Sequence, residues 1–337
     1  MSIIGMVCPR CGFSSTDKYY PFCPRCSSPL ELRGELGLKD NIMGEGNTPL
    51  VEVRRHGSPV YFKLEYLNPT GSFKDRGSSI SLLLAKELGY RCVVEDSSGN
   101  TGLSVAAYSA RLGLKARIVV PAGAAESKKA LIKMTGAELL EEPDRGKAAS
   151  KARALMGECF YVSHATSPVF IEGVSSLGEE ILSDAGPGIP IILPVSSGTL
   201  LLGVYRAFRR RGVKPRIIAV QSSEHASLRG KVRLLAEVGG DRSRLADALV
   251  YRDPPRLDEM AEAAQDGGLV VVGDDAIKRS LMDLYSMGFI VEPSSAVVWA
   301  AYRELSERGL IDEALLILTG SGLKYAGMLQ DIVKPVA

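Results

Sequence analysis

From about Val51 to Leu318, short runs of β-branched residues alternate with amphipathic stretches of helical period. Such alternation demands parallel strands joined by helical crossovers, which is α/β architecture. It predicts strands over 60–64, 92–95, 116–120, 191–195, 216–220 and 315–318. It predicts helices over 75–88, 101–112, 126–134, 147–156, 174–183, 200–211, 276–287 and 295–308. Ligands of open α/β sheets bind beyond the carboxyl ends of the strands, so each Gly-, Ser- or Thr-containing strand-to-helix turn is a candidate site. The stretch 222–268 is charge-rich and follows neither period, which predicts an irregular surface region. The sequence contains no internal repeat, low-complexity tract or heptad pattern.

The 337 residues suffice for one large or two moderate domains with a real core. Lys and Arg (41) nearly balance Asp and Glu (39), which argues against nucleic-acid or membrane-surface partners, since both favour a basic excess. The N-terminus lacks a basic region followed by an apolar run, and no stretch is long enough to span a bilayer, so a soluble, cytoplasmic protein is expected. Only four Asn and three Gln occur, and scarcity of thermolabile amides suggests a hot habitat.

Before the alternation begins, Cys8, Cys11, Cys23 and Cys26 form two C-x-x-C knuckles separated by 11 residues. Four convergent thiolates close the tetrahedral shell of a structural zinc, so residues 1–32 are expected to be a zinc-ribbon-like segment. A metal-free ribbon and a pair of disulfides are the alternatives. Cys92 and Cys159 stand apart.

Standard motif searches return little. The sequence has three histidines (His56, His164, His225), no phosphate-binding loop ending in Gly-Lys-Ser/Thr, and no G-x-G-x-x-G after a strand. Chemistry concentrates instead where the rare Asn residues lie. Asn47 is in 46–50, Asn68 begins the string Asn-Pro-Thr-Gly-Ser-Phe-Lys-Asp-Arg-Gly of 68–77, and Asn100 lies in Ser97-Ser98-Gly99-Asn100-Thr101-Gly102. Lys74 falls at the start of a predicted helix, where the positive end of the dipole favours its neutral amine, the form that Schiff-base chemistry needs. A Gly/Ser loop that opens a helix, as at 97–102, offers N–H donors to an anion. Ser196, Ser197, Gly198 and Thr199 repeat this arrangement after an apolar strand and suit a phosphate.

The string 68–77 resembles the lysine-bearing motif of pyridoxal-phosphate enzymes of the tryptophan-synthase-β type (fold type II), and most closely that of the threonine synthase family. The likeness extends to the N-terminal ribbon, 46–50, 97–102, the turn 291–296 and the closing motif 318–324. It implies two open twisted α/β subdomains with the cofactor cleft between them. The catalytic domain would span 33–337, with a smaller subdomain of about 89–170 inserted in the larger one. The resemblance also implies a homodimer. By the same resemblance, Lys74 forms the Schiff base with pyridoxal 5'-phosphate and then acts as the mobile general base. Phe73, Asn100, Ser196, Ser197, Gly198, Thr199, Leu200 and Thr319 complete the cofactor set, with Asn100 on the phenolic oxygen and Thr319 facing the pyridine nitrogen. Ser97, Ser98, Gly99 and Thr101 hold the substrate carboxylate. A neutral hydroxyl at the ring nitrogen favours elimination and replacement over transamination.

The resemblance implies a lyase that converts O-phospho-L-homoserine and water into L-threonine and phosphate. The block 164–176 departs from the family's phosphate-gripping pattern: Phe170 occupies the arginine position, and Val174-Ser175 replaces Gln-Lys. Ser321 stands where the family often has His. Two further expectations therefore stay open. One is a serine or threonine dehydratase, or an O-phosphoserine-dependent β-replacement enzyme. The other, of a different class, is a catalytically silent cofactor-binding or regulatory protein. Glu95 and Asp96, just before the substrate loop, are acidic where the family has small residues.

Overall fold

The computed structural model describes residues 5–16, 18–34, 36–38, 41–55 and 58–325; the ends of the expected spans, Met1 and Ala337, lie outside the described residues. Contacts divide the chain into two compact units, one of Met1–Gly46 with Asn68–Ser176 and one of Asn47–Leu67 with Leu177–Ala337.

The first unit opens with a small antiparallel sheet in which β1 (Gly5–Val7) lies between β2 (Ser14–Ser15) and β3 (Glu31–Arg33). Each cysteine knuckle closes on a backbone bond, Gly12 N to Cys8 O (3.0 Å) and Ser27 N to Cys23 O (2.9 Å). The residue after each second cysteine is left-handed, Gly12 at φ 70° and Ser27 at φ 57°. These turns gather the four sulfurs within 4.8 Å of one another.

A hairpin of β4 (Leu50–Arg55) and β5 (Ser58–Lys63) then belongs to the second unit. The chain returns to the first unit with α1 (Lys74–Glu87), β6 (Cys92–Glu95), α2 (Asn100–Leu112), β7 (Lys115–Pro121), α3 (Glu126–Met134), β8 (Glu138–Glu142), α4 (Arg145–Ala154) and β9 (Phe160–Tyr161). Its sheet runs β8-β7-β6-β9, all parallel. Val93, Val94 and 118–120 are fully buried, as expected of parallel strands covered on both faces. Gly113 (φ 71°) stops α2, and the Asp144 carboxylate caps α4 by accepting from Lys147 N at 2.8 Å. The chain passes from the first unit to the second within α5 (Pro168–Ala185).

The second unit adds β10 (Ile191–Pro194), α6 (Thr199–Arg210), β11 (Ile217–Ser222), β12 (Leu234–Val238), α7 (Leu257–Ala264), β13 (Leu269–Val272), α8 (Asp274–Ser286), α9 (Pro293–Glu307) and β14 (Ala314–Ile317). Its seven strands run β12-β13-β11-β10-β14-β5-β4, parallel except for β4. The core centres on α9, where Trp299 is 1 % exposed and meets Phe62 edge-on at 5.7 Å.

Two sequence expectations need correction. The stretch 222–268 is not wholly irregular, because β12 forms the edge of the large sheet and α7 buries Met260, Ala263 and Ala264. β12 lies at the sheet's edge and buries only Ala236, so it has no alternating buried face for the sequence to show. Cys92 and Cys159 do not stand apart: they form a disulfide with Cα atoms 4.6 Å apart, because β6 and β9 are neighbours with Val93 opposite Phe160. Closing a loop of 67 residues stabilises the fold by about 4 kcal/mol in the chain-entropy account.

Candidate active site

In a parallel sheet, ligands favour the crevice beyond the carboxyl ends of the strands, above all where the strand order reverses. In the first unit, β6 leads through α2 to β7 on one side while β9 lies on the other. The residues that follow β6 are Asp96, Ser97, Ser98 and Gly99, and then α2 begins at Asn100. The N-cap residue of α2 is Gly99, which has no side chain to cap it, and the positive end of the helix dipole faces this loop. Gly99 N lies 3.3 Å from Ser97 Oγ, and Thr101 is 2 % exposed. Gly102 is required here. A Cβ at that position would lie 1.8 Å from the Ser97 carbonyl oxygen, so only glycine lets the loop fold back over the first turn of the helix.

Lys74 is the first residue of α1, which packs along α2 within the same unit. No side chain caps this helix, and Lys74 Nζ lies 4.4 Å from the Phe73 ring centroid. Behind the lysine, Asp75 is fully buried and accepts from Thr70 N at 2.7 Å and Ser104 Oγ at 2.6 Å. These bonds tie the turn before α1 to the second turn of α2. Asn68 Oδ1 accepts from Gly46 N at 2.9 Å, fixing the start of the same string. Ser72 Oγ is buried without a hydrogen-bond partner. A buried hydroxyl left this way is uncommon and points to a group that completes the site.

The two acidic residues before the loop each have a partner across the β6/β9 reversal. Glu95, 0 % exposed, meets His164 Nδ1 through Oε1 at 2.5 Å, while its Oε2 has no partner. The Tyr161 hydroxyl donates to Asp96 Oδ1 at 2.6 Å. Burial, reinforced by the Glu95 charge, pushes the Asp96 carboxyl up to about 6; the Tyr161 bond and His164 oppose the rise. Sequence reasoning did not foresee these two partners. A lone histidine and a tyrosine 65–69 residues downstream carry no local signal.

In the second unit the last strand, β14, is inserted between β5 and β10, and it pairs with β10 in parallel with Ile192 opposite Leu316. Ser196, Ser197, Gly198, Thr199 and Leu200 follow β10, and Thr319 follows β14, so the sheet brings these two predicted groups side by side. No side chain caps α6. Gly198 has φ 90°, the left-handed conformation that calls for glycine, and the Met260 side chain packs where a Cβ would lie, its Sδ 2.6 Å away. Ser196 Oγ accepts from Val250 N at 3.2 Å, which ties the turn to the chain before α7. The hydroxyls of Ser197 and Thr199 lie 3.0 Å apart, leaving a turn lined by hydroxyls and helix N–H groups that suits a phosphate dianion. Thr319 is 3 % exposed, with its Oγ1 2.8 Å from Ser295 Oγ. Ser295 also accepts from Gly320 N at 2.8 Å. The turn 291–296 had already drawn notice in the sequence, but not this role for Ser295.

The family described as pyridoxal-phosphate dependent enzyme matches residues 42–320. The threonine synthase of Bacillus sp. (strain ULM1) is 31 % identical over 304 residues, covering 85 % of each chain. The threonine synthase of Methanosarcina acetivorans is 30 % identical over 313 residues, covering 86 % of this chain and 77 % of its own. Among solved structures, an O-ureido-L-serine synthase superposes with TM-score 0.75 at 23 % identity, covering 89 % of this chain and 98 % of its own. A cysteine synthase from Entamoeba histolytica does so with TM-score 0.72 at 22 % identity, covering 89 % and 93 %. These structural matches share the α/β fold of type II. The chain belongs to the pyridoxal-phosphate dependent enzymes of fold type II and, by sequence, to the threonine synthase family among them.

Proposed function

We propose that this enzyme is a threonine synthase, converting O-phospho-L-homoserine and water into L-threonine and phosphate. The observation that carries the reading is 31 % identity to a threonine synthase along 85 % of both chains. The residues present fit the cofactor: a lysine at an uncapped helix start, the orphaned Ser72 hydroxyl, and the glycine-dependent turn before α6. Lys74, Phe73 and Asn100 would hold its ring, Ser196, Ser197, Gly198, Thr199 and Leu200 its phosphate, and Thr319 its ring nitrogen. Pyridoxal phosphate supplies an electron sink for the bonds broken at the substrate's Cα.

The chain's own groups do the rest. Ser97, Ser98, Gly99 and Thr101, with the first N–H groups of α2, receive the substrate carboxylate. The Lys74 amine takes a proton from Cα and returns protons further along the side chain. The Thr319 hydroxyl, 2.8 Å from Ser295 Oγ, would offer the ring nitrogen a neutral partner, which would favour elimination.

A second reading rests on Phe170. Its side chain is 0 % exposed, and its ring fills the space that a Cβ on Gly77 would enter at 2.3 Å. Val174 is likewise 0 % exposed, and Ser175 Oγ donates to Glu172 O at 2.6 Å. This face of α5 is core and presents no cation to a distal phosphate, which favours an unphosphorylated hydroxy amino acid and a dehydratase or replacement reaction. Offering O-phosphohomoserine, O-phosphoserine, serine and threonine in parallel separates the readings. Equal release of phosphate and threonine from O-phosphohomoserine is the expected result. Oxo-acid from serine or threonine, with no threonine from O-phosphohomoserine, would install the second reading.

We also infer that Cys8, Cys11, Cys23 and Cys26 hold one structural zinc. Their sulfurs lie as close as 3.5 Å (Cys8–Cys26 and Cys11–Cys23), and about 3.8 Å is the separation that 2.3 Å Zn–S bonds impose in a tetrahedron. About one zinc per chain is expected after purification under reducing conditions, and Cys11→Ser should lose it. Metal analysis that finds none would overturn the assignment.

A further inference from the structure

Tyr19 lies in sequence between the two cysteine knuckles, yet its side chain is buried among the helices and strands of the first unit. Its ring stacks on Phe160, with centroids 4.2 Å apart and planes 18° from parallel. Its hydroxyl lies 3.1 Å from Tyr161 O and donates to Ser167 Oγ at 3.0 Å. Burial raises the phenol well above its ordinary value and the Glu95 charge adds to the rise, so the group stays a donor.

These partners bracket 161–167, the turn that leaves β9. That turn is strained at Ser163, a non-glycine residue at φ 48°. A left-handed residue of this kind costs roughly 1–2 kcal/mol and persists only where its surroundings fix it. The same turn carries two side chains that bond the chain entering the 97–101 loop, Tyr161 on Asp96 and His164 on Glu95. Glu95 depends on that turn, because its other oxygen has no partner and its side chain meets no solvent.

We propose that Tyr19, supplied by the cysteine ribbon, is a positioning residue for the 97–101 loop, acting through the 161–167 turn and its bonds to Glu95 and Asp96. The ribbon is then a working part of the substrate site. For the functional consequence, the proposal rests on the reading of that loop as the carboxylate site; the positional coupling stands apart from it.

The test compares Tyr19→Phe with the native holoenzyme. Phenylalanine keeps the stack on Phe160 and removes only the hydroxyl, so the ribbon folds. Amide hydrogen exchange over 93–103 and 160–167 should quicken about three- to tenfold, the loss expected for one buried hydrogen bond, while 115–142 stays unchanged. Titration with L-threonine or L-serine, read from the cofactor's visible band, should give an apparent Kd about three- to tenfold weaker, with the band itself unmoved before amino acid is added. Unchanged exchange over 93–103 overturns the proposal; faster exchange with an unaltered Kd overturns its functional half, leaving Tyr19 holding a loop on which amino-acid binding does not depend. If the native enzyme's band answers neither amino acid, it is the carboxylate-site reading that fails, and the exchange result decides whether Tyr19 holds the loop.

Discussion

Lys74→Ala is expected to lose the visible absorption of the bound cofactor and to lower turnover by at least about 10³-fold. On the proposed function, two roles go with the side chain. One is the nucleophile that anchors the cofactor; the other is the base that moves protons at the substrate, a function worth about 10²–10⁴ in rate by itself. Stability should respond in the opposite sense or hardly at all. The lysine opens α1, where its charge faces the positive end of the helix dipole, an unfavourable arrangement of about 0.3–1 kcal/mol that alanine removes. Against this stands the contact with the Phe73 ring at 4.4 Å, worth about 0.5–1 kcal/mol. The two nearly cancel, so the unfolding midpoints of the cofactor-free native and variant proteins should agree within a few degrees. A variant that keeps the band and the activity would remove Lys74 from the chemistry. One that simply fails to fold would be at odds with this balance.

How much of this site was legible in the sequence follows from where its residues lie. In a parallel sheet the ligand turns follow directly on the strands, so the hydrophobic runs ending at Glu95, Pro194 and Ile317 also marked the places to look for Ser97, Ser197 and Thr319. The rare asparagines were a good guide for mixed reasons. Asn68 caps a backbone N–H, Asn47 occupies a left-handed position at φ 48° that asparagine tolerates, and Asn100 opens α2. Scarcity therefore marked turn geometry as well as chemistry.

What the sequence hid depends on distance along the chain. Cys92 and Cys159 pair because two strands 67 residues apart are neighbours, and nothing local announces it. The same holds for His164 beneath Glu95 and for Tyr19 against Ser167, 148 residues away. The charge-rich stretch before Gly268 concealed an edge strand and the helix whose Met260 packs under Gly198. Phe170 was read by position as a missing cation. Its burial against Gly77 shows the physical reason: the residue belongs to the packing of α5 on α1.

Gly102→Ala is expected to damage activity by about 10²-fold or more while leaving the cofactor in place. Alanine elsewhere in a helix stabilises relative to glycine by about 1 kcal/mol, so propensity alone predicts a gain. The local geometry reverses that sign. An added Cβ would lie 1.8 Å from the Ser97 carbonyl oxygen, 2.9 Å from its carbon and 3.1 Å from Ile118 Cγ2. The nearest obstacle is backbone, so no change of rotamer relieves it, and either the 97–99 turn or the first turn of α2 must move by more than about an ångström. Displacements of that size cost on the order of 10²-fold in rate when they fall on groups that orient a substrate. The loss should therefore appear as weaker amino-acid binding and lower kcat/KM together with a lower unfolding midpoint, because the buried bonds at Glu95 and Asp96 are pulled as well. Lys74 and the turn before α6 are untouched, so the cofactor should stay bound, with its band shifted only as far as Asn100 moves with the first turn of α2. Gly157→Ala is the matching control, since a Cβ there meets nothing within 4 Å and activity should be unchanged. A Gly102→Ala enzyme with native kcat/KM and raised stability would mean that the close approach of Ser97 to α2 does not shape the site, and the carboxylate role of the 97–101 loop would fall with it.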